Sequence, residues 1–233
     1  MRLQMFEHMP SKTNCNITKW AENNRHELLR TKVNRGEDMP GLDSFDWLFV
    51  MGGPQSAWEE EAHPWLRTEK DFIRQSIAAG KIVLAICLGV QVLAEAMGSR
   101  AFKNTHREFG WNEVTVLSEG RKSFLFNNIP DTFVSWSWHG DHYDLPQDCV
   151  RLAASDPSPN QAFVHNSLPL VGLQFHPETT IELAHTFLDN YKAPWKDGPY
   201  VKPKEEIRAQ TDTLQDTYWL MKALLDNMVE RYG

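Results

Sequence analysis

Three side chains in this sequence could carry nucleophilic chemistry together: Cys87, His176 and Glu178. Cys87 ends the apolar run Lys81-Ile82-Val83-Leu84-Ala85-Ile86 and precedes Leu88-Gly89, so Ala85 and Gly89 stand two residues to either side. A sharp strand-to-helix turn pushes its central side chain out of the sheet edge only when those flanking residues are small. The turn also places the sulfur at a helix N-terminus, where free N–H groups and the dipole favour negative charge. Open α/β sheets collect their ligands at this edge. Taken alone, Cys87 equally fits a buried structural thiol, among the commonest core residues. Cys15 and Cys149 lack the context and read as structural.

A nucleophilic thiol needs a base. In Leu173-Gln174-Phe175-His176-Pro177-Glu178, Pro177 disfavours helix at the residue before it. His176 and Glu178 are therefore expected in extended backbone, projecting to one side. A carboxylate so placed holds an imidazole in one tautomer and raises its affinity for a proton. By itself, His-x-Glu is also what a surface ion pair looks like. The other histidines lack metal-site spacing apart from His139-Gly140-Asp141-His142, and neither a metal nor another cofactor is expected.

The elements that must position these residues can be read from hydrophobic pattern. Apolar runs alternate with helical spacing through the first half, which predicts βαβ units and a parallel sheet. Strands are expected at Arg2–His8, His26–Val33, Asp46–Met51 and Lys81–Ile86, with a loop containing Pro10 after the first. Asn16 is expected to cap a helix running to about Arg25. A second helix opens at Pro64 with Trp65, Leu66, Phe72, Ile73 and Ile77 on one face, and a third runs from Val90 to Met97. Beyond Trp111 the pattern shortens to pieces at 112–117, 132–138, 150–154, 161–165 and 170–175, several of them antiparallel, then a closing helix at 179–190. A connecting segment with Pro194, Pro199 and Pro203 leads to one C-terminal helix over about 205–231. The expected division is a domain over 1–190 and a linker with helical extension over 191–233. That extension is expected to pack its apolar stripe on the domain, the alternatives being a homo-oligomer contact or a docking surface.

Bulk properties narrow the function classes. The 233 residues are 41% hydrophobic, enough for a substantial core, and 24 Lys+Arg against 31 Asp+Glu give a net charge of -7. An acidic chain gains nothing from counterion release on a nucleic-acid backbone, so that partner class is excluded. Glu59-Glu60-Glu61 reads as solvated surface. No apolar stretch of about 18 residues occurs, so no membrane partner is expected. Three widely spaced cysteines make neither a disulfide framework nor a zinc knot, and with an N-terminus lacking a signal-peptide pattern the chain reads as cytoplasmic.

Ala85-Ile86-Cys87-Leu88-Gly89-Val90-Gln91 together with Gln174-Phe175-His176-Pro177-Glu178 resembles the class I glutamine amidotransferases. Met51-Gly52-Gly53-Pro54, Glu108-Phe109-Gly110-Trp111 and Trp138-His139-Gly140-Asp141 fall in the order found in the amidotransferase domain of GMP synthetase and its stand-alone relatives. The resemblance spans roughly residues 1–190. It implies an open, mostly parallel twisted sheet flanked by helices, flavodoxin-like, with a small antiparallel part. It implies a Cys87 nucleophile, His176 as base and acid, and Glu178 orienting it. It also implies an oxyanion hole from the N–H groups of Gly53 and Leu88, and a substrate pocket involving Gln91, Trp138 and His139. Family members usually carry Gly where Ala85 stands, which implies a slightly tighter turn.

Three readings of purpose follow. The chain is a glutaminase-type hydrolase that releases ammonia from glutamine, alone or for a synthase subunit. Alternatively it cleaves γ-glutamyl peptides or glutathione conjugates by the same chemistry. Least favoured is a binding protein that kept the fold, because Cys87, His176 and Glu178 are all present. The sequence lacks a GxxxxGK[ST] loop, so no nucleotide-activating partner domain is expected in the chain.

Overall fold

The computed structural model describes residues 1–9, 14–191, 195 and 198–233; Pro10 and Pro194 lie outside them. The chain runs β1 (Arg2–Phe6), α1 (Asn16–Asn23), β2 (Glu27–Thr31), β3 (Trp47–Val50), α2 (Trp65–Ala78), β4 (Ile82–Ile86), α3 (Leu88–Ala96), β5 (Ala101–Val116) and α4 (Ser118–Arg121). It continues through β6 (Thr132–Tyr143), β7 (Cys149–Ala154), β8 (Ala162–His165), β9 (Leu170–Leu173), α5 (Ile181–Asn190), α6 (Lys204–Thr213) and α7 (Tyr218–Tyr232). The strands form a single sheet in the order β2-β1-β3-β4-β9-β8-β7-β5-β6. From β2 to β9 neighbours are parallel; from β9 to β6 they are antiparallel.

The parallel half explains its own sequence. Leu3, Met5, Trp47, Phe49, Leu84 and Ile86 face one side, where they pack with Ile17 and Trp20 of α1 and with α7. Leu48, Val50, Val83 and Ala85 face the other, against Leu66, Phe72 and Ile73 of α2 and Leu93 of α3. A strand buried on both faces has no polar alternation to show, hence the continuous apolar runs.

Four expectations need correction. The first strand stops at Phe6 rather than His8, and His8 beyond it is fully buried. Cys15, not Asn16, occupies the helix cap, without a side-chain capping bond; the Asn16 amide is drawn to the His176 loop instead. The pieces at 112–117 and 132–138 belong to a 16-residue β5 and a 12-residue β6 that pair along most of their length. Their polar stretches read as loops because the residues between Phe102 and Glu108 alternate irregularly around a shift in register. The single C-terminal helix is two: Leu214 turns to extended backbone (φ −73°, ψ 134°), and Asp216 Oδ1 accepts from the Tyr218 N–H at 2.8 Å. Short polar and β-branched residues at 211–213 weaken the helix there, although the apolar spacing runs straight through.

The extension packs on the rest of the chain. Leu220, Met221, Leu224, Leu225 and Met228 are buried, Asp226 accepts from the Trp20 indole N–H at 2.9 Å, and the Asn227 amide donates to Leu125 O and Asn127 O at 3.0 and 2.9 Å. Glu60, read as solvated, pairs with Arg67 and with Lys70, whose ammonium also reaches Glu95. No helix among the described residues is long and apolar enough to cross a membrane.

Candidate active site

Cys87 sits between β4 and α3 with φ 55° and ψ −113°, a positive φ that a residue with a side chain rarely adopts. Such a conformation costs about 1–3 kcal/mol and persists only where the surroundings enforce it. Here they do. The Cys87 N–H donates to Leu173 O at 2.8 Å, continuing the β4–β9 ladder into the turn. Immediately after it, Gly89 is pressed on β3: a Cβ there would stand 2.0 Å from Val50 O, so only glycine fits.

The same ladder brings His176 to the sulfur. Ile86 pairs with Leu173, so the chain leaving β9 runs beside the chain leaving β4. His176 is then fixed from its other side, its N–H donating to Trp136 O of β6 at 2.8 Å. Its Nδ1 lies 2.7 Å from Glu178 Oε1, and both side chains are about nine-tenths buried. Its Nε2 is buried and makes no well-aligned hydrogen bond, while Cys87 bears on the ring as a charge and a hydrogen-bonding neighbour. Contacts of this kind often align only when substrate is bound. Burial, the largest influence on His176, disfavours its charged form, but the charge of Glu178, the Cys87 sulfur and the hydrogen bonds to both outweigh it and hold the ring well above its ordinary value. Gly52 closes the third side; a Cβ there would meet His176 Cε1 at 2.9 Å and Cys87 Cβ at 3.4 Å.

The remaining sequence candidates divide. Gly53 and Leu88 are in contact: a Gly53 Cβ would stand 2.8 Å from Leu88 Cδ2, which brings the turn after β3 against the first residue of α3. Gln91 is buried, and its amide donates to Asp141 O and to Gln174 Oε1, both at 3.2 Å. His139 is also buried, with Nδ1 3.0 Å from Asp141 O and Nε2 3.0 Å from Glu108 Oε2. Trp138 departs from this group. Alternation along β6 turns its ring away from His139 into an aromatic cluster, stacked on Phe109 at 4.6 Å and on Trp136 at 5.4 Å. Among the described residues no cluster of side chains has the makings of a metal site.

With this geometry in view, comparison with known proteins is decisive. The sequence profile of the family Glutamine amidotransferase class-I matches residues 10–191. The chain belongs to the class I glutamine amidotransferases. It is similar to the glutamine amidotransferase-like protein YfeJ of Salmonella typhimurium, 28% identical over 90% of each chain. It is 33% identical to the GMP synthase of Aliivibrio fischeri over 58% of this chain, a match spanning only 24% of that relative's length. Among solved structures, a glutamine amidotransferase of Thermotoga maritima superposes with a TM-score of 0.87 at 26% identity, covering 98% of both chains.

Several residues around this amidotransferase site escaped sequence reading. Asn16 donates through its amide to Pro177 O and Thr217 O, both at 3.0 Å, and its N–H donates to Glu178 O at 2.9 Å, tying the His176 loop to α1 and to the start of α7. Glu108 accepts from Ser155 Oγ and the Gln161 amide while facing His139; burial opposes its charge, but the contacts with His139, Ser158 and Ser155 hold its carboxyl below the ordinary range. Ser56 donates to Asp141 Oδ2 at 2.7 Å, joining the Gly52–Gly53 loop to β6. For Glu108 and Asp141 a signal existed, the Glu-Phe-Gly-Trp and Trp-His-Gly-Asp motifs; for Asn16 and Ser56 the partners are remote in sequence and leave no local pattern.

Proposed function

We propose that this chain hydrolyses the side-chain amide of glutamine through a covalent γ-glutamyl thioester on Cys87. The observation that carries the reading is the sulfur at a strained elbow beside an imidazole whose other nitrogen is held by Glu178 at 2.7 Å. Cys87 attacks the γ-carbonyl carbon as His176 takes the thiol proton. The oxyanion is held by the N–H groups of Gly53 and Leu88. The C–N bond then breaks, and His176 returns the proton to the departing ammonia. Water, deprotonated by His176, attacks the thioester carbon, releasing glutamate and restoring the thiol. A γ-glutamyl head group also carries an α-ammonium and an α-carboxylate. Asp141, beside Gln91, and Arg107, which packs on Gly140 and acts electrostatically on Asp141, supply the matching charges.

The test is a panel of glutamine, γ-glutamyl dipeptides and glutathione conjugates, assayed with wild type and Cys87→Ala. Glutamine turnover that depends on Cys87 supports the reading, and a synthase subunit that consumes the ammonia would stimulate it. A higher kcat/KM for γ-glutamyl dipeptides would move the assignment to a γ-glutamyl peptidase. Equal rates for wild type and variant would leave only a binding role.

A further inference from the structure

A second buried His–Glu pair lies against the Met51-Gly52-Gly53 turn, and the mechanism above makes no use of it. His8 Nε2 is 2.8 Å from Glu69 Oε1, with both side chains fully buried. The other ring nitrogen, Nδ1, is 2.9 Å from Met51 O, and the Gly52 backbone also acts on the ring. The ring stacks on Trp65 at 5.2 Å, and a Cβ on Gly53 would stand 2.7 Å from His8 Cβ. His8 thus holds the Met51 carbonyl at the start of the Met51-Gly52-Gly53 turn and packs against Gly53 at its end.

We infer that His8, braced by Glu69 from α2, is a positioning residue that sets the orientation of the Gly52–Gly53 peptide and so aims the Gly53 N–H at the reacting oxygen. The inference rests on the function proposed above. A trans peptide is planar, so holding Met51 O also holds the Gly52 N–H, and the packing of His8 on Gly53 limits how the next peptide can turn. Met51 O can only accept, so Nδ1 donates to it, while Nε2 faces the Glu69 carboxyl. A buried ion pair is a poor way to gain stability alone, since apolar residues of similar volume do as well or better. Its place directly under the oxyanion turn gives it a reason to be there.

Two reactions of Cys87 separate positioning from general damage. Hydrolysis of a γ-glutamyl compound passes through an oxyanion; alkylation by iodoacetamide displaces iodide and needs none. His8→Leu/Glu69→Met replaces the pair with apolar groups and leaves no stranded charge, and His8→Asn keeps a short donor near Met51 O. The double variant is expected to lose about 10- to 100-fold in kcat with KM little changed, to keep its iodoacetamide rate within about twofold of wild type, and His8→Asn should recover most of the lost kcat. The inference is overturned if the double variant keeps its kcat, if alkylation falls in parallel with turnover, or if His8→Asn is as slow as the double variant. Wild type that is alkylated yet hydrolyses no γ-glutamyl compound overturns the proposed function and this inference with it. Wild-type turnover that is indifferent to His8 overturns this inference alone.

Discussion

Two buried His–Glu pairs border the Met51-Gly52-Gly53 turn, and they are built alike up to a single atom. In each, a buried imidazole nitrogen lies within 2.8 Å of a buried carboxylate, and in each the ring is held above its ordinary value. For His8, burial is again the largest influence and opposes the charge, while Glu69 and the Met51 and Gly52 backbone outweigh it. The difference is what the second nitrogen meets. At His8 it meets the Met51 carbonyl, which cannot exchange a proton with it. At His176 it meets the Cys87 sulfur, which can. Under the proposed mechanism, a His–Glu pair acts as a base or a brace according to the neighbour on its far side.

This contrast can be broken experimentally in order of expected effect. Cys87→Ala should reduce turnover of any γ-glutamyl substrate to the uncatalysed background, read as ammonia or amine release. Glu178→Gln should lower kcat by about 10²-fold or more, because the imidazole loses its orienting acceptor in the step that moves the proton. Glu69→Gln should cost less, about 10-fold, since it slackens an oxyanion donor without removing it; equal losses for the two carboxylates would erase the distinction between base and brace. Asn16→Ala should destabilise by about 1–3 kcal/mol in urea unfolding, having left buried carbonyls of Pro177 and Thr217 without a donor, and should slow turnover only several-fold by loosening the loop that carries His176 and Glu178.

The smallest effect is on pH dependence. A histidine whose folded pKa is raised stabilises the fold fully below its unfolded value of about 6.5, and that stabilisation disappears as pH rises through the folded value. For His8 the stability gap between wild type and Glu69→Gln should therefore be widest near pH 6 and narrow towards pH 9. A gap that is constant over that range would mean His8 carries no extra proton.

How much was legible depended on where the partners lay. The His176–Glu178 pair is two residues apart, so proline and strand geometry were enough to set both on one side. The elbow at Cys87 was legible because its demand for small neighbours falls at fixed local positions, and the clash a Gly89 Cβ would make with Val50 O shows how severe that demand is. The parallel strands announced themselves by apolar runs. The long hairpin of β5 and β6, the break before α7 and the true position of Trp138 did not, since each depends on pairing or packing with distant chain.

The sequence by itself determined the family and the parallel core, and singled out Cys87, His176 and Glu178 as the candidates, because those follow from local pattern and short spacings. Only the tertiary structure decided that Cys87 and His176 meet, through the register that sets Ile86 beside Leu173. It alone paired His8 with Glu69 across 61 residues. Which histidine is left free to take a proton is a property of the atoms that fold around it, and no stretch of chain carries those atoms in order.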